Sequence, residues 1–303
     1  MKPTDALTPR TSSPALASAI AAVALAGFAA VIYVGSAVAA PPPAPPAKPA
    51  EKAPEKPSER ATPPAKSARA AEGATEFEIL MTLGPAAPLT PVGTGSESRT
   101  GEGGGDRTLT NETDINIGRG GGVQIQMSSQ SVVGESADGK LRRFGVRRKI
   151  AGPVPQDISI EGTVEGDKVL LTMGQGELAR KKTIDRPKTA VTPLEMERRM
   201  AADGIAPGKK FVFTVYPVPE DPEAPHECVW TIGDKETFKL AGKEVTVFRA
   251  TMTMNIGGRA GPPDSGGAAV RTIVSSNLID EKAQTYLVET DMGQLKMQMK
   301  RTK

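Results

Sequence analysis

The stretch "EAPHECVW", residues 223–230, holds the only histidine, the only cysteine and the only tryptophan of a 303-residue chain. A cysteine beside a histidine is the start of an acyl-transfer site, which needs a thiolate, a proton acceptor and a carboxylate to orient the ring. His226 and Cys228 are two residues apart, so on a strand they share one face, roughly 7 Å apart at the backbone. No motif supplies the third group. The flanking "DPEAPHECVW" also lacks the strand-to-helix turn that lowers a thiol's pKa. As metal ligands the pair would make half of a zinc site, with Asp221 or Glu223 needed to complete it. The plainer reading is structural: Pro225 and His226 open a strand, and Cys228 and Trp230 follow on the same face as small and large apolar fillers. The expectation is no catalytic residue and no cofactor, with His226 and Cys228 as weak metal candidates.

Other features with chemical potential resolve in the same direction. The glycine runs "GEGGGD" and "GRGGGV" lead into a strand and lack Gly-Lys-Ser/Thr, whereas a phosphate loop leads into a helix N-terminus. Asp234, Glu236, Asp280 and Glu281 sit in turn-like contexts and read as solvated turn residues. Asn111-Glu112-Thr113 matches a glycosylation sequon, which an export segment of bacterial type makes a chance match. The 11 methionines carry more weight, because aromatic residues are only 4% of the chain and their volume must be replaced. Phe248, Ala250, Met252, Met254 and Ile256 share one strand face, as do Leu295, Met297 and Met299. That pattern is either a helix-covered core or, with Trp230 added, an apolar groove able to take an acyl chain or hydrophobic peptide.

These residues need strands to position them. From Thr75 onward apolar and polar residues alternate at period two in about a dozen segments, among them "EFEILMTL", "VQIQMSSQSVV", "CVWTI" and "EVTVFRATMTMNI". Asp138-Gly139, Glu165-Gly166-Asp167 and Met292-Gly293 read as hairpin turns, and residues 84–106 as a mobile loop. One helix interrupts the strands: Thr192 is its N-cap, Pro193 its first residue, Glu195 completes a capping box and Gly204 closes it. Met196 and Met200 lie one turn apart. The expected fold is mainly β, a large curved antiparallel sheet over residues 75–303 with the short helix packed against it.

Ahead of that domain lie two other segments. Residues 14–40 are uncharged and follow a short head bearing Lys2 and Arg10, the layout of an export signal, with Ala37-Val38-Ala39 fitting cleavage before Ala40. The apolar run 15–34 also reaches the roughly 20 residues that cross a bilayer, so residues 1–40 are a signal peptide or an uncleaved anchor touching the membrane. Either way the rest of the chain is sent out of the cytoplasm, into the periplasm or cell envelope. Residues 41–74 are Pro, Ala, Lys and Glu with almost no branched side chains, a composition that cannot offset its ordering entropy and reads as a disordered, semi-extended spacer. The formal charge is only +3 and no basic stripe occurs, so nucleic acid is not an expected partner. One cysteine allows no intramolecular disulfide.

In order and spacing, "DGKLRRFGVRRKIAG", "IEGTVEGDKVLLTM", "TPLEMERRMAADGIAPGKKFVFTVYPVPED", "LAGKEVTVFRATMTM" and "IDEKAQTYLVETDMGQLKMQMKR" resemble the β-rich envelope domain found ahead of transglutaminase-like modules in bacterial proteins. More distantly the chain is similar to the curved-sheet lipoprotein-sorting and carrier proteins. The resemblance covers residues 137–303 and implies a fold but no catalytic residue, since the family's catalytic module would follow this domain. The expected function is therefore an exported, non-catalytic β-rich binding or scaffold module on a flexible stalk, with a hydrophobic ligand, lipid or envelope protein as partner. The alternatives are a periplasmic lipid or lipoprotein carrier and, last, a hydrolase or acyl transferase using Cys228.

Overall fold

A computed structural model describes residues 74–82, 87–101, 105–119, 123–152, 155–174, 178–218, 221–256, 271–291 and 295–303. The export segment, the spacer through residue 73, the centres of both glycine runs and the Met292-Gly293 turn lie outside the described residues. Alternating burial produces the strands: in β1 (Thr75–Met81) every second residue is buried. Next come β2 (Thr90–Thr100), β3 (Arg107–Arg119), β4 (Val123–Glu135), β5 (Leu141–Ala151), β6 (Gln156–Glu165), β7 (Lys168–Met173) and β8 (Arg180–Asp185). After the helix α1 (Pro193–Asp203) follow β9 (Lys210–Val215), β10 (His226–Leu240), β11 (Lys243–Ile256), β12 (Arg271–Ile279), β13 (Thr285–Asp291) and β14 (Lys296–Arg301).

All fourteen strands belong to one sheet, in the order β8-β7-β6-β5-β4-β3-β2-β1-β14-β13-β12-β11-β10-β9. Every neighbouring pair is antiparallel, and β1 meets β14 with Ile79 opposite Met299. The meander thus stays local except where the first and last strands join. Both predicted turns that fall within the described residues connect hairpins, and Gly139 and Gly166 take the positive φ values, 80° and 59°, that such tight turns require.

The sheet is curved and does not close on itself. Tyr216, just past the edge strand β9, meets Phe144 of β5 edge-on at 5.6 Å between ring centroids. β5 and β9 lie ten strands apart in the strand order, so their contact requires the sheet to curl round. Between the two edges, Val191 bridges to Val215 in parallel and Lys182 of β8 pairs with Glu223.

Helix α1 lies inside the curl. Its start follows from the sequence: the Thr192 side chain accepts a hydrogen bond from the Glu195 N–H at 3.1 Å, and Pro193 presets the first helical φ. Gly204, at φ 78°, ends it. Met196 and Met200 are fully buried with Trp230, Phe248 and Met252 from β10 and β11, while Leu194 packs on Leu109 of β3. Burying each methionine stabilises the fold by about 1.5–3 kcal/mol.

Three features of the strand pattern differ from expectation. Residues 84–106, expected as a mobile loop, contain β2, paired on both sides by β1 and β3. Val92 is its one large apolar inward residue, and Gly95, Glu97 and Arg99 take the inward positions that follow, which erases the period-two signal. β8 was unmarked because none of its residues is buried; it is a sheet edge, guarded by Arg180, Lys181 and Lys182. β10 runs well beyond "CVWTI", because a register shift between Ile232 and Lys235 breaks its alternation. Past that shift, Phe238 joins Val247, Leu278 and Tyr286 in a small cluster on the opposite face of the sheet from Phe248.

Candidate functional site

His226, Cys228 and Trp230 do share one face of β10, opposite Val215, Phe213 and Phe211 of β9. All three are buried, with Cys228 and Trp230 fully enclosed. Burial pushes the Cys228 thiol up to about 12, so the thiolate needed for attack is scarce at neutral pH. The His226 ring is committed to the backbone: Nδ1 lies 3.1 Å from the Asn255 carbonyl oxygen and Nε2 lies 3.3 Å from that of Asp221. An Asp221 carboxylate oxygen stands 3.6 Å from Nε2, whereas Glu223 turns away to Lys182. The metal half-site is not completed, and among the described residues no three His, Cys, Asp or Glu side chains group around a common point.

The residues of the apolar face divide between two cores. Trp230, Phe248, Met252 and Met254 pack with α1. Met297 and Met299 pack instead with Phe77, Ile79, Ile115 and Met127, and Leu295 is only half-buried. They therefore do not line one continuous groove. Of the scattered carboxylates, Glu236 holds Arg249 through two hydrogen bonds of 2.6 and 2.9 Å. Asp280 accepts from the Lys282 and Gln284 N–H groups in its own turn.

Between these apolar cores lies a charged network that the sequence did not disclose. Arg99 of β2 forks onto Glu197 of α1 at 2.7 and 2.8 Å and onto Glu97 at 2.9 and 3.1 Å. Burial opposes the Arg99 charge, but Glu197 and then Glu97 outweigh it and raise the guanidinium pKa. The next residue of the helix, Arg198, donates to Glu135 of β4 at 3.1 Å and also bonds Glu195. Glu135 is completely enclosed, and its Oε1 has no hydrogen-bond partner. Burial first, then the Glu195 carboxylate, push Glu135 up to about 8, against the opposing pull of Arg107. A neutral carboxyl is the cheaper state for such a site. The network ties α1 to β2 and β4 by polar contacts while its methionines hold β10 and β11.

Beside the first turn of α1 a cleft of about 220 Å³ opens between the β4–β5 turn, the link from β8 to α1 and the helix itself. Lys140, Arg186, Lys188 and Arg199 line it, with the carboxylates of Asp138 and Glu195. Lys140 pairs with Asp138 at 2.6 Å and Arg199 with Glu195 at 2.8 Å. These residues lie on three separate elements, so nothing in their sequence spacing marked them.

No family model matches the chain, and no curated protein matches it in sequence. Among solved structures it is similar to a beta-barrel-like protein of domain of unknown function DUF1849 from Brucella abortus, with 15% identity and a TM-score of 0.55. That likeness covers 76% of this chain and 95% of the other. A DUF1089 family protein from Pseudomonas aeruginosa aligns at 12% identity over 63% of this chain and 86% of its own, with a TM-score of 0.30 too low to carry an argument. Neither is described as a transglutaminase-associated or lipoprotein-carrier domain. What this chain shares with the Brucella protein is a fold: a barrel-like β architecture.

Proposed function

We propose that the chain is an extracytoplasmic, non-catalytic binding or scaffold module, carried on its proline-rich spacer. The observation that carries the non-catalytic part is the enclosure of Cys228, the chain's one thiol, behind α1 with its pKa raised to about 12. Its neighbour His226 is occupied by backbone carbonyls rather than held free as a base. The location rests on the uncharged segment 14–40 behind Lys2 and Arg10. A carrier for acyl chains needs an open apolar groove. The methionines that would line it are each at most 2% exposed and lie in separate cores, which favours the module over the carrier.

Fractionation of bacteria expressing the full chain with a C-terminal tag tests the reading. The tag is expected outside the cytoplasm, digested by protease in spheroplasts but not in intact cells. Mass spectrometry then separates cleavage before Ala40 from a retained anchor. Tagged protein protected in spheroplasts and recovered with cytoplasmic markers would sink the proposal.

A further inference from the structure

The cleft beside α1 has an electrostatic imbalance. It is lined by the four cations Lys140, Arg186, Lys188 and Arg199 but by only the two carboxylates Asp138 and Glu195, a surplus of two positive charges. Lys140 and Arg199 take those carboxylates. Among the described residues neither Arg186 nor Lys188 has an ion pair within 4 Å; Lys188 feels the Asp185 carboxylate outside the cleft, which is itself held by Lys168 at 2.6 Å, and Arg186 is half-buried. A guanidinium partly withdrawn from water and lacking a counter-charge is unfavourable unless an anion supplies one.

We propose that this cleft receives a phosphate group, bound between Arg186 and Lys188; the inference rests on reading the chain as a binding module and names the ligand chemistry. A phosphate monoester carries about −1.5 to −2 charges at neutral pH, which matches the surplus. Arg186 supplies a planar fork that can hold two phosphate oxygens, and Lys188 a mobile point charge. The volume of about 220 Å³ falls below the roughly 300–1,000 Å³ of clefts that engulf drug-sized ligands. The cleft therefore takes a headgroup and leaves the remainder of the ligand outside. That phosphate can come from a soluble ester or from the headgroup of an anionic lipid.

The test uses the full chain in low salt, with radiolabelled inorganic phosphate in equilibrium dialysis. In parallel, the protein is sedimented with phosphatidylcholine vesicles containing about one-fifth phosphatidic acid. The variant R186Q/K188Q removes the surplus charge. K181Q/K182Q removes the same charge from the exposed edge β8, outside the cleft, and Trp230 emission checks the fold of each. Loss of the two charged contacts is expected to weaken binding at least about tenfold, with the edge variant within about twofold of wild type. A difference between wild type and R186Q/K188Q in dialysis alone assigns a soluble phosphate; a difference on vesicles assigns a lipid headgroup. Both proteins carry the same apolar segment 15–34, so that segment cannot produce the vesicle difference. No separation in either arm, or an equal loss in K181Q/K182Q, overturns the proposal. Location by fractionation does not depend on the cleft, so that result leaves the module reading standing.

Discussion

Replacing Glu135 by glutamine should remove the protein's loss of stability at alkaline pH. In the unfolded chain this carboxyl titrates near its ordinary 4.5, and in the folded protein near 8. The folded state therefore holds a proton that the unfolded state has released, and stability falls as pH rises between those values. Each pH step in that interval costs about 1.4 kcal/mol. From about pH 6, already above the unfolded value, to about pH 9, past the folded one, wild type should lose about 2.7 kcal/mol. Relaxation around the ionised carboxylate, with Arg198 at 3.1 Å, makes that an upper estimate. Glu135→Gln has no proton to lose, so its stability should stay level over the same range. Trp230, the chain's single tryptophan and fully enclosed, reports unfolding, and urea titrations at the two pH values give the free energies. A wild-type midpoint that stays flat, or a glutamine variant that falls as steeply, would refute the placement of a protonated carboxyl under α1.

Arg99→Ala should cost about 3–5 kcal/mol, because it takes the guanidinium away from the two buried carboxylates of Glu97 and Glu197. Adding Glu97→Gln and Glu197→Gln should recover part of that in the same urea assay, and full additivity of the three changes would argue against a shared network. Cys228 should stay unreactive toward Ellman's reagent in the folded protein and release one thiol per chain in urea; prompt labelling without denaturant would contradict its enclosure. Gly93→Ala would place a Cβ 2.0 Å from the Asp114 carbonyl oxygen. Because backbone must move to relieve that contact, a loss of about 1–3 kcal/mol is expected in thermal unfolding. Gly118→Ala, with no atom within 4 Å of its added Cβ, is the control and should be nearly neutral.

The sequence by itself determined the elements whose inward positions are apolar. β1, β10 and β11 alternate Phe, Ile, Cys, Trp and Met against polar residues, and a face that must leave water prints its period on the chain. The helix was legible for a local reason: Thr192, Pro193, Glu195 and Gly204 satisfy its ends within a few residues of chain. Only the tertiary structure decided the rest. β2 is a strand because β1 and β3 hold it on both sides, and because Arg99 can bury its charge against a helix nearly 100 residues away. Whether Met252 and Met299 line one groove or two cores depended on how a fourteen-stranded sheet curls. In "HECVW", Cys228 and Trp230 are a packed face because the methionines of α1 join their core, and His226 is closed in by Asn255 and Asp221. Local rules reach a few residues along the chain, whereas burial and charge pairing are fixed by whatever the curl brings across the interior.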